Sequence, residues 1–201
     1  TQALLDLYTI QQELDVNKKS MDKLRIALVG DLKYGRAVHS LCKILTLFEN
    51  VTFHLISPDE LKLPKEYKAL LERKSTTIDE SEDLSKGISE VDIIYMTRIQ
   101  EERFQDKEEA KKYKGLLSLN KNIYTKNCEP NTVIMHPLPR DSRKEANELN
   151  SDLYNNPNLA IYRQADNGVL IRMALFALVL DIVDEININT RNVKWYTPNK
   201  N

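Results

Sequence analysis

Cysteine is scarce in this chain: Cys42 and Cys128 are the only two, and they form no C-x-x-C pair. Histidine is scarce as well, and His39, His54 and His136 lie far apart. That usage excludes a disulfide-stapled scaffold and predicts no metal site and no metal cofactor. Only five glycines occur, and none falls in a G-x-G-x-x-G or G-x-x-x-x-G-K-[ST] spacing. The usual dinucleotide and phosphate-loop fingerprints are therefore missing. The longest apolar run, Met173 to Leu180, has eight residues, whereas a membrane span needs about twenty. Neither sign of charge is in excess, with 29 basic against 30 acidic residues. Such a balance gives no bulk attraction to nucleic acid or to a membrane surface. No basic-then-apolar leader opens the chain, so a cytoplasmic location is expected.

What is present is the composition of a folded domain. Apolar residues make up 41% and charged residues 29% of 201 positions. A chain of that length buries about 70% of its extended surface and needs no staples. Leu4, Leu5, Leu7, Tyr8, Ile10 and Leu14 mark one face of a helix over residues 1–18. No cap precedes it, so the chain is expected to be read from partway through a longer one.

Short apolar runs then alternate with helix-length segments. Strands are expected at 24–29, 51–56, 75–78, 91–96 and 132–135. Helices are expected from Gly35-Arg36 onward, from Pro64 to Arg73, from Glu80 to Lys86, and from Asp166 to about Glu185. The fold class is α/β, an open and mostly parallel sheet flanked by helices, with right-handed crossovers. The last helix is apolar nearly all round between Val169 and Val183. It is either ordinary domain core or a surface that docks on a domain outside the chain. Residues 187–201 read as a polar tail, anchored by Trp195 and Tyr196.

Ligands of open α/β sheets bind beyond the carboxyl ends of the strands. Three polar segments fall there: Gly30 to Arg36, Thr97 to Gln100, and His136 to Arg140. The first opens a helix, whose start favours an anion. Arg36 is a candidate anion ligand there, or a plain surface arginine. Arg98 offers a planar fork suited to a carboxylate, or an ion pair with Glu101, Glu102 or Asp106. Gln100 adds a donor and an acceptor. Pro137 and Pro139 stiffen the third segment and can aim a backbone carbonyl into a site. No nucleophile stands out, so positioning and electrostatics are the expected means of any catalysis.

These segments resemble those of the aspartate/ornithine carbamoyltransferase family. Thr1-Gln2-Ala3-Leu4-Leu5-Asp6 is similar to the family segment directly after a His-Pro pair. Gly30-Asp31-Leu32-Lys33-Tyr34-Gly35-Arg36, Met96-Thr97-Arg98-Ile99-Gln100 and His136-Pro137-Leu138-Pro139-Arg140 come next, in family order. The first two of these motifs resemble the aspartate enzymes and not the ornithine ones.

The resemblance implies a Rossmann-like second domain of a two-domain carbamoyltransferase. Residues 1–18 would be the interdomain helix and 19–165 the aspartate-binding domain. Residues 166–186 would return toward a preceding carbamoyl-phosphate domain. It implies that Arg36, Arg98 and Gln100 hold aspartate, that Gln2 contacts carbamoyl phosphate, and that Leu138 works through its backbone carbonyl. It also implies carbamoyl transfer to aspartate without a cofactor, in a homotrimer whose neighbour completes each site. Regulatory chains or fused enzymes are possible partners in this family, and the isolated chain is expected to be inactive. Two departures stand out: Ala37 replaces a frequent threonine, and Asp141 to Glu145 replaces an acidic-isoleucine pattern, with Glu145 as a stand-in acid. A carbamoyltransferase for another amino acid, or a non-catalytic homologue kept for assembly, is the alternative.

Overall fold

The computed structural model describes residues 1–72, 76–143 and 145–188. Among them the elements run α1 (Gln2–Val16), β1 (Arg25–Val29), α2 (Arg36–Leu45), β2 (Thr52–Ile56), α3 (Lys65–Glu72) and β3 (Thr77–Ser81). They continue with α4 (Leu84–Gly87), β4 (Ile93–Met96), α5 (Lys107–Lys111), α6 (Lys121–Asn127), β5 (Val133–Met135), α7 (Ile161–Val179) and α8 (Val183–Ile188). The strands form one parallel sheet in the order β3-β2-β1-β4-β5.

Both faces of the sheet are buried, which is why its inner strands read as unbroken apolar runs. Ile26, Leu28, Phe53, Ile93 and Tyr95 face one core with Ile10 and Leu14 of α1 and Val38, Leu41 and Leu45 of α2. Ala27, Val29, Ile94, Met96 and Ile134 face the other, with Leu84, Tyr124 and Ile161. The alternation follows from the two-residue period of a strand.

Strand β3 lies later than the expected 75–78, and residue 75 is outside the described residues, as is Arg73 at the expected end of α3. Register sets the shift: His54, Leu55 and Ile56 pair with Asp79, Glu80 and Ser81. Pairing thereby takes residues expected in a helix from Glu80, and α4 starts only after Asp83. Asp83 caps it by accepting from the Ser85 and Lys86 N–H groups at 2.9 and 3.3 Å.

The final helix also differs from expectation. It begins at Ile161, because Ala160 N–H donates to Ile134 O at 2.8 Å and pins the chain beside β5. It stops at Val179 and resumes as α8 after Asp181, which is left-handed at φ 56°. The core account of its apolar surface is corrected. Met173, Phe176, Leu178 and Val179 are 60%, 67%, 65% and 81% exposed. Residues 189–201, with Trp195 and Tyr196, lie outside the described residues.

A polar seam joins α7 to α1, where the sequence showed mainly leucines. Arg163 grips Glu13, Asn167 donates to Thr9 Oγ1 at 3.0 Å, and Gln164 donates to Asp6 at 2.7 Å. Among the described residues no helix is long and apolar enough to cross a membrane.

Candidate active site

The sheet reverses its build direction between β1 and β4, which are neighbours although β2 follows β1 in sequence. A crevice opens at such a switch point beyond the carboxyl ends of the strands. A cleft of about 280 Å³ lies there. Its walls bring together Gln2, Arg36, Arg98, Gln100 and Leu138, five residues that span 137 positions of sequence. Ala37, Thr97, Glu102 and His136 also line it.

The β1–β4 wall depends on Gly30, whose φ is +114°. A Cβ there would sit 2.3 Å from Thr97 O, so no side chain fits. The close approach lets Thr97 pack against the end of β1, with its N–H on Val29 O at 2.8 Å and its hydroxyl on the same oxygen at 2.9 Å. Asp31 follows and is fully buried. It accepts from Tyr34 N–H at 2.9 Å and Gln100 N–H at 3.0 Å. Burial raises its carboxyl above the ordinary range, and those backbone donors offset part of the rise.

Helix α2 starts at the cleft without a side-chain cap. Gly35 to Ala37 form that wall, so the unpaired N–H groups of the first turn favour an anion. Arg36 is exposed and has no ion-pair partner among the described residues. Arg98 differs, and the ion-pair alternative raised for it is realised. Its guanidinium meets Glu102 at 2.6 and 3.1 Å and donates to Ile99 O at 3.1 Å. The pair holds Glu102 below and Arg98 above its ordinary pKa range. Glu101, next to it, accepts from Lys114 at 2.9 Å and from Arg143, tying the Arg98 loop to two other segments.

Leu138 is left-handed at φ 52° and 41% exposed. A leucine rarely holds that conformation, which costs about 1–2 kcal/mol. His136 holds it: its Nδ1 accepts Leu138 N–H at 2.9 Å, and its Nε2 meets Glu148 Oε1 at 2.9 Å. The backbone donor fixes Nδ1 as the acceptor, so Nε2 carries the proton in neutral histidine. Glu148 is buried and also accepts Asp141 N–H at 2.8 Å. Glu148 therefore supplies the acid under this loop, while Glu145 is exposed.

Sequence reasoning missed Glu148 and Asp31 as contributors, and it offered Glu102 only as one of three ion-pair alternatives for Arg98. Asp31 had a signal, an acid directly after a strand-ending glycine. Glu148 had none, since residues 141–150 show no period. Among the described residues no group of three or more acidic, histidine or cysteine side chains could hold a metal ion. Burial pushes both cysteine thiols up to about 12, which leaves them poor nucleophiles at neutral pH.

Fold and cleft together define a doubly wound α/β domain whose switch point holds a cleft with the chemistry to suit a small anion. Residues 22–179 match the family model described as aspartate/ornithine carbamoyltransferase, Asp/Orn binding domain. The chain belongs to the aspartate/ornithine carbamoyltransferase family. It is 60% identical to the aspartate carbamoyltransferase catalytic subunit of Saccharophagus degradans over 98% of its own length and 58% of that protein's. The corresponding subunit of Cellvibrio japonicus is 59% identical, with the same coverage. The catalytic subunit of M. jannaschii aspartate transcarbamoylase superposes with a TM-score of 0.75 at 40% identity, over 90% of this chain and 55% of that one. The Trypanosoma cruzi aspartate transcarbamoylase, solved with aspartate and phosphate, gives 0.70 at 33% identity over 87% and 52%. The chain thus spans a little over half the length of these relatives.

Proposed function

We propose that the complete enzyme carrying this chain transfers the carbamoyl group of carbamoyl phosphate to the amine of L-aspartate, a step of pyrimidine biosynthesis. This chain supplies the aspartate-binding half. The observation that supports it best is the convergence of Gln2, Arg36, Arg98, Gln100 and Leu138 on one cleft. Two arginines and a bare helix start suit a dicarboxylate.

In this reading Arg36 and Arg98 hold the two aspartate carboxylates, and Glu102 orients Arg98 for its share. Gln100 is fixed beside them through Asp31. Gln2 and the Leu138 carbonyl meet the carbamoyl group. The aspartate amine attacks the carbamoyl carbon, forming a C–N bond. The tetrahedral intermediate collapses by breaking the bond to the phosphate oxygen, and the amine proton leaves with phosphate. The cationic clamp offsets the repulsion between two anionic substrates. No cofactor and no covalent enzyme intermediate takes part.

A carbamoyl-phosphate domain precedes residue 1, with residues 1–18 as the connecting helix, 19–165 as the aspartate domain and 166–186 returning toward the first domain. The exposed apolar surface of α7 and α8 supports that return. The complete enzyme is a cytoplasmic homotrimer whose neighbour completes each site, and the isolated chain turns nothing over. The test offers the complete enzyme carbamoyl phosphate with aspartate, with ornithine and with no amine. Aspartate-dependent product is expected. Transfer to ornithine instead, or to no amine from a folded oligomer, contradicts the reading.

A further inference from the structure

Beneath the cleft, and not lining it, lies a buried carboxylate that the reaction as described does not use. Asp6 of α1 is fully buried and accepts three hydrogen bonds. Gln2 Nε2 donates to its Oδ1 at 2.8 Å, Gln164 Nε2 to the same oxygen at 2.7 Å, and Tyr95 OH to Oδ2 at 2.6 Å. No cation is among these partners. A carboxylate buried in this way is costly unless its lone pairs are filled, and it in turn dictates which end of each partner faces it.

Two of the three partners lead to the cleft. Gln2 is part of its wall. With Nε2 committed to Asp6, Gln2 keeps its carbonyl Oε1 and a single N–H for a ligand. An acceptor in that place suits the N–H groups of a carbamoyl moiety better than an anionic phosphate oxygen. Gln164 turns its own Oε1 to the backbone N–H of His136 at 2.9 Å. His136 accepts Leu138 N–H at 2.9 Å. A chain of singly oriented hydrogen bonds therefore runs from Asp6 through Gln164 and His136 to the left-handed Leu138. The third partner, Tyr95, leads into the core behind β4.

We propose that Asp6 is a positioning residue: it sets the amide orientation of Gln2 and, through Gln164 and His136, the place of Leu138. The proposal rests on the carbamoyl-transfer reading. Asparagine at position 6 keeps the shape but turns one acceptor into a donor. Only the Tyr95 hydroxyl can reverse to accept it, which strands a buried hydrogen; otherwise the Gln2 and Gln164 amides, which share Oδ1, must both flip. A flipped Gln164 presents an NH₂ to the His136 N–H.

The test compares D6N, Q164M and Y95F in the complete enzyme with the parent. It reads carbamoyl phosphate binding at equilibrium, kcat, the KM for aspartate, and thermal stability. D6N is expected to lower carbamoyl phosphate affinity and kcat by about tenfold each, while the aspartate KM moves by less than about threefold. Q164M is expected to lower kcat and spare carbamoyl phosphate binding, since Gln2 keeps its acceptor. Y95F is expected to lose stability but keep its kinetic constants within about twofold. Kinetic constants of D6N that match the parent, or equal losses in D6N and Y95F, overturn the proposal. Should D6N fail to fold, an unchanged kcat in Q164M overturns it as well. A parent that carbamoylates no amine overturns the underlying reading, whereas an active parent with an unaffected D6N overturns this proposal alone.

Discussion

The backbone N–H of Gln100 donates to Asp31 Oδ2 at 3.0 Å, joining the loops after β4 and β1. The other oxygen of the same carboxylate accepts Tyr34 N–H at 2.9 Å. One buried side chain thus spaces the Arg98–Gln100 loop from the turn that leads into Arg36. Asparagine at position 31 can satisfy only one of these two donors. We predict that D31N, in the complete enzyme, raises the aspartate KM by about tenfold and leaves the fold intact. Steady-state kinetics with circular dichroism check it; an unchanged KM contradicts the role.

Gly30 permits that spacing in the first place. A methyl at this position meets the Thr97 carbonyl oxygen at 2.3 Å and requires a left-handed alanine. The G30A variant should therefore lose about 2–4 kcal/mol of stability, because both strands would have to part. Denaturant unfolding reads this directly, and a loss under about 1 kcal/mol shows that the Gly30–Thr97 contact can relax.

Much of this architecture was legible in the chain itself. β1 and β4 are apolar on both faces, so their runs announced a parallel sheet, and their polar ends announced the cleft. β3 was nearly invisible, since an edge strand of Thr77, Asp79 and Glu80 has no apolar signature and only its pairing with β2 reveals it. Arg36 and Arg98 stood out as cations at strand ends. Asp6 did not, because its partner Gln164 lies 158 residues away and its meaning depends on how α1 meets α7. Glu102 was legible only as an ion-pair alternative, and the structure realises that pair at 2.6 Å.

At the base of β4, Asp92 gives a pH dependence with a definite sign. Burial alone would raise its carboxyl, but Lys19 at 2.5 Å, Arg25 at 3.2 Å and the Arg25 N–H at 2.9 Å together hold it below 3.8. A depressed carboxyl stabilises the fold above its unfolded value and loses that contribution as pH falls through its folded value. The stability gap between the parent and D92N should be full above the ordinary carboxylate range and shrink as pH falls below that range. Asp6 and Asp31, both raised by burial, act with the opposite sign and become relatively more favourable on acidification. Denaturant midpoints across this range test it; a gap that widens in acid contradicts the assignment.

Arg98 reaches the cleft with its guanidinium already braced by Glu102. Alanine at this position removes a charged fork and leaves Glu102 unpaired. We expect R98A to raise the aspartate KM and lower kcat together, for a loss of about 2–3 kcal/mol in kcat/KM. Aspartate kinetics equal to those of the parent contradict the assignment.

The most direct measurement is made on R36A in the complete enzyme. Arg36 stands at the uncapped start of α2, exposed in the cleft, and among the described residues its side chain holds no ion pair that its loss would break. Carbamoyl phosphate binding at equilibrium and aspartate-dependent turnover are measured on the same preparation. The account predicts carbamoyl phosphate binding like that of the parent, with kcat/KM for aspartate lower by roughly 30- to 150-fold. Unchanged aspartate kinetics, or equal losses of binding and turnover, would contradict the claim that this cleft grips aspartate through Arg36.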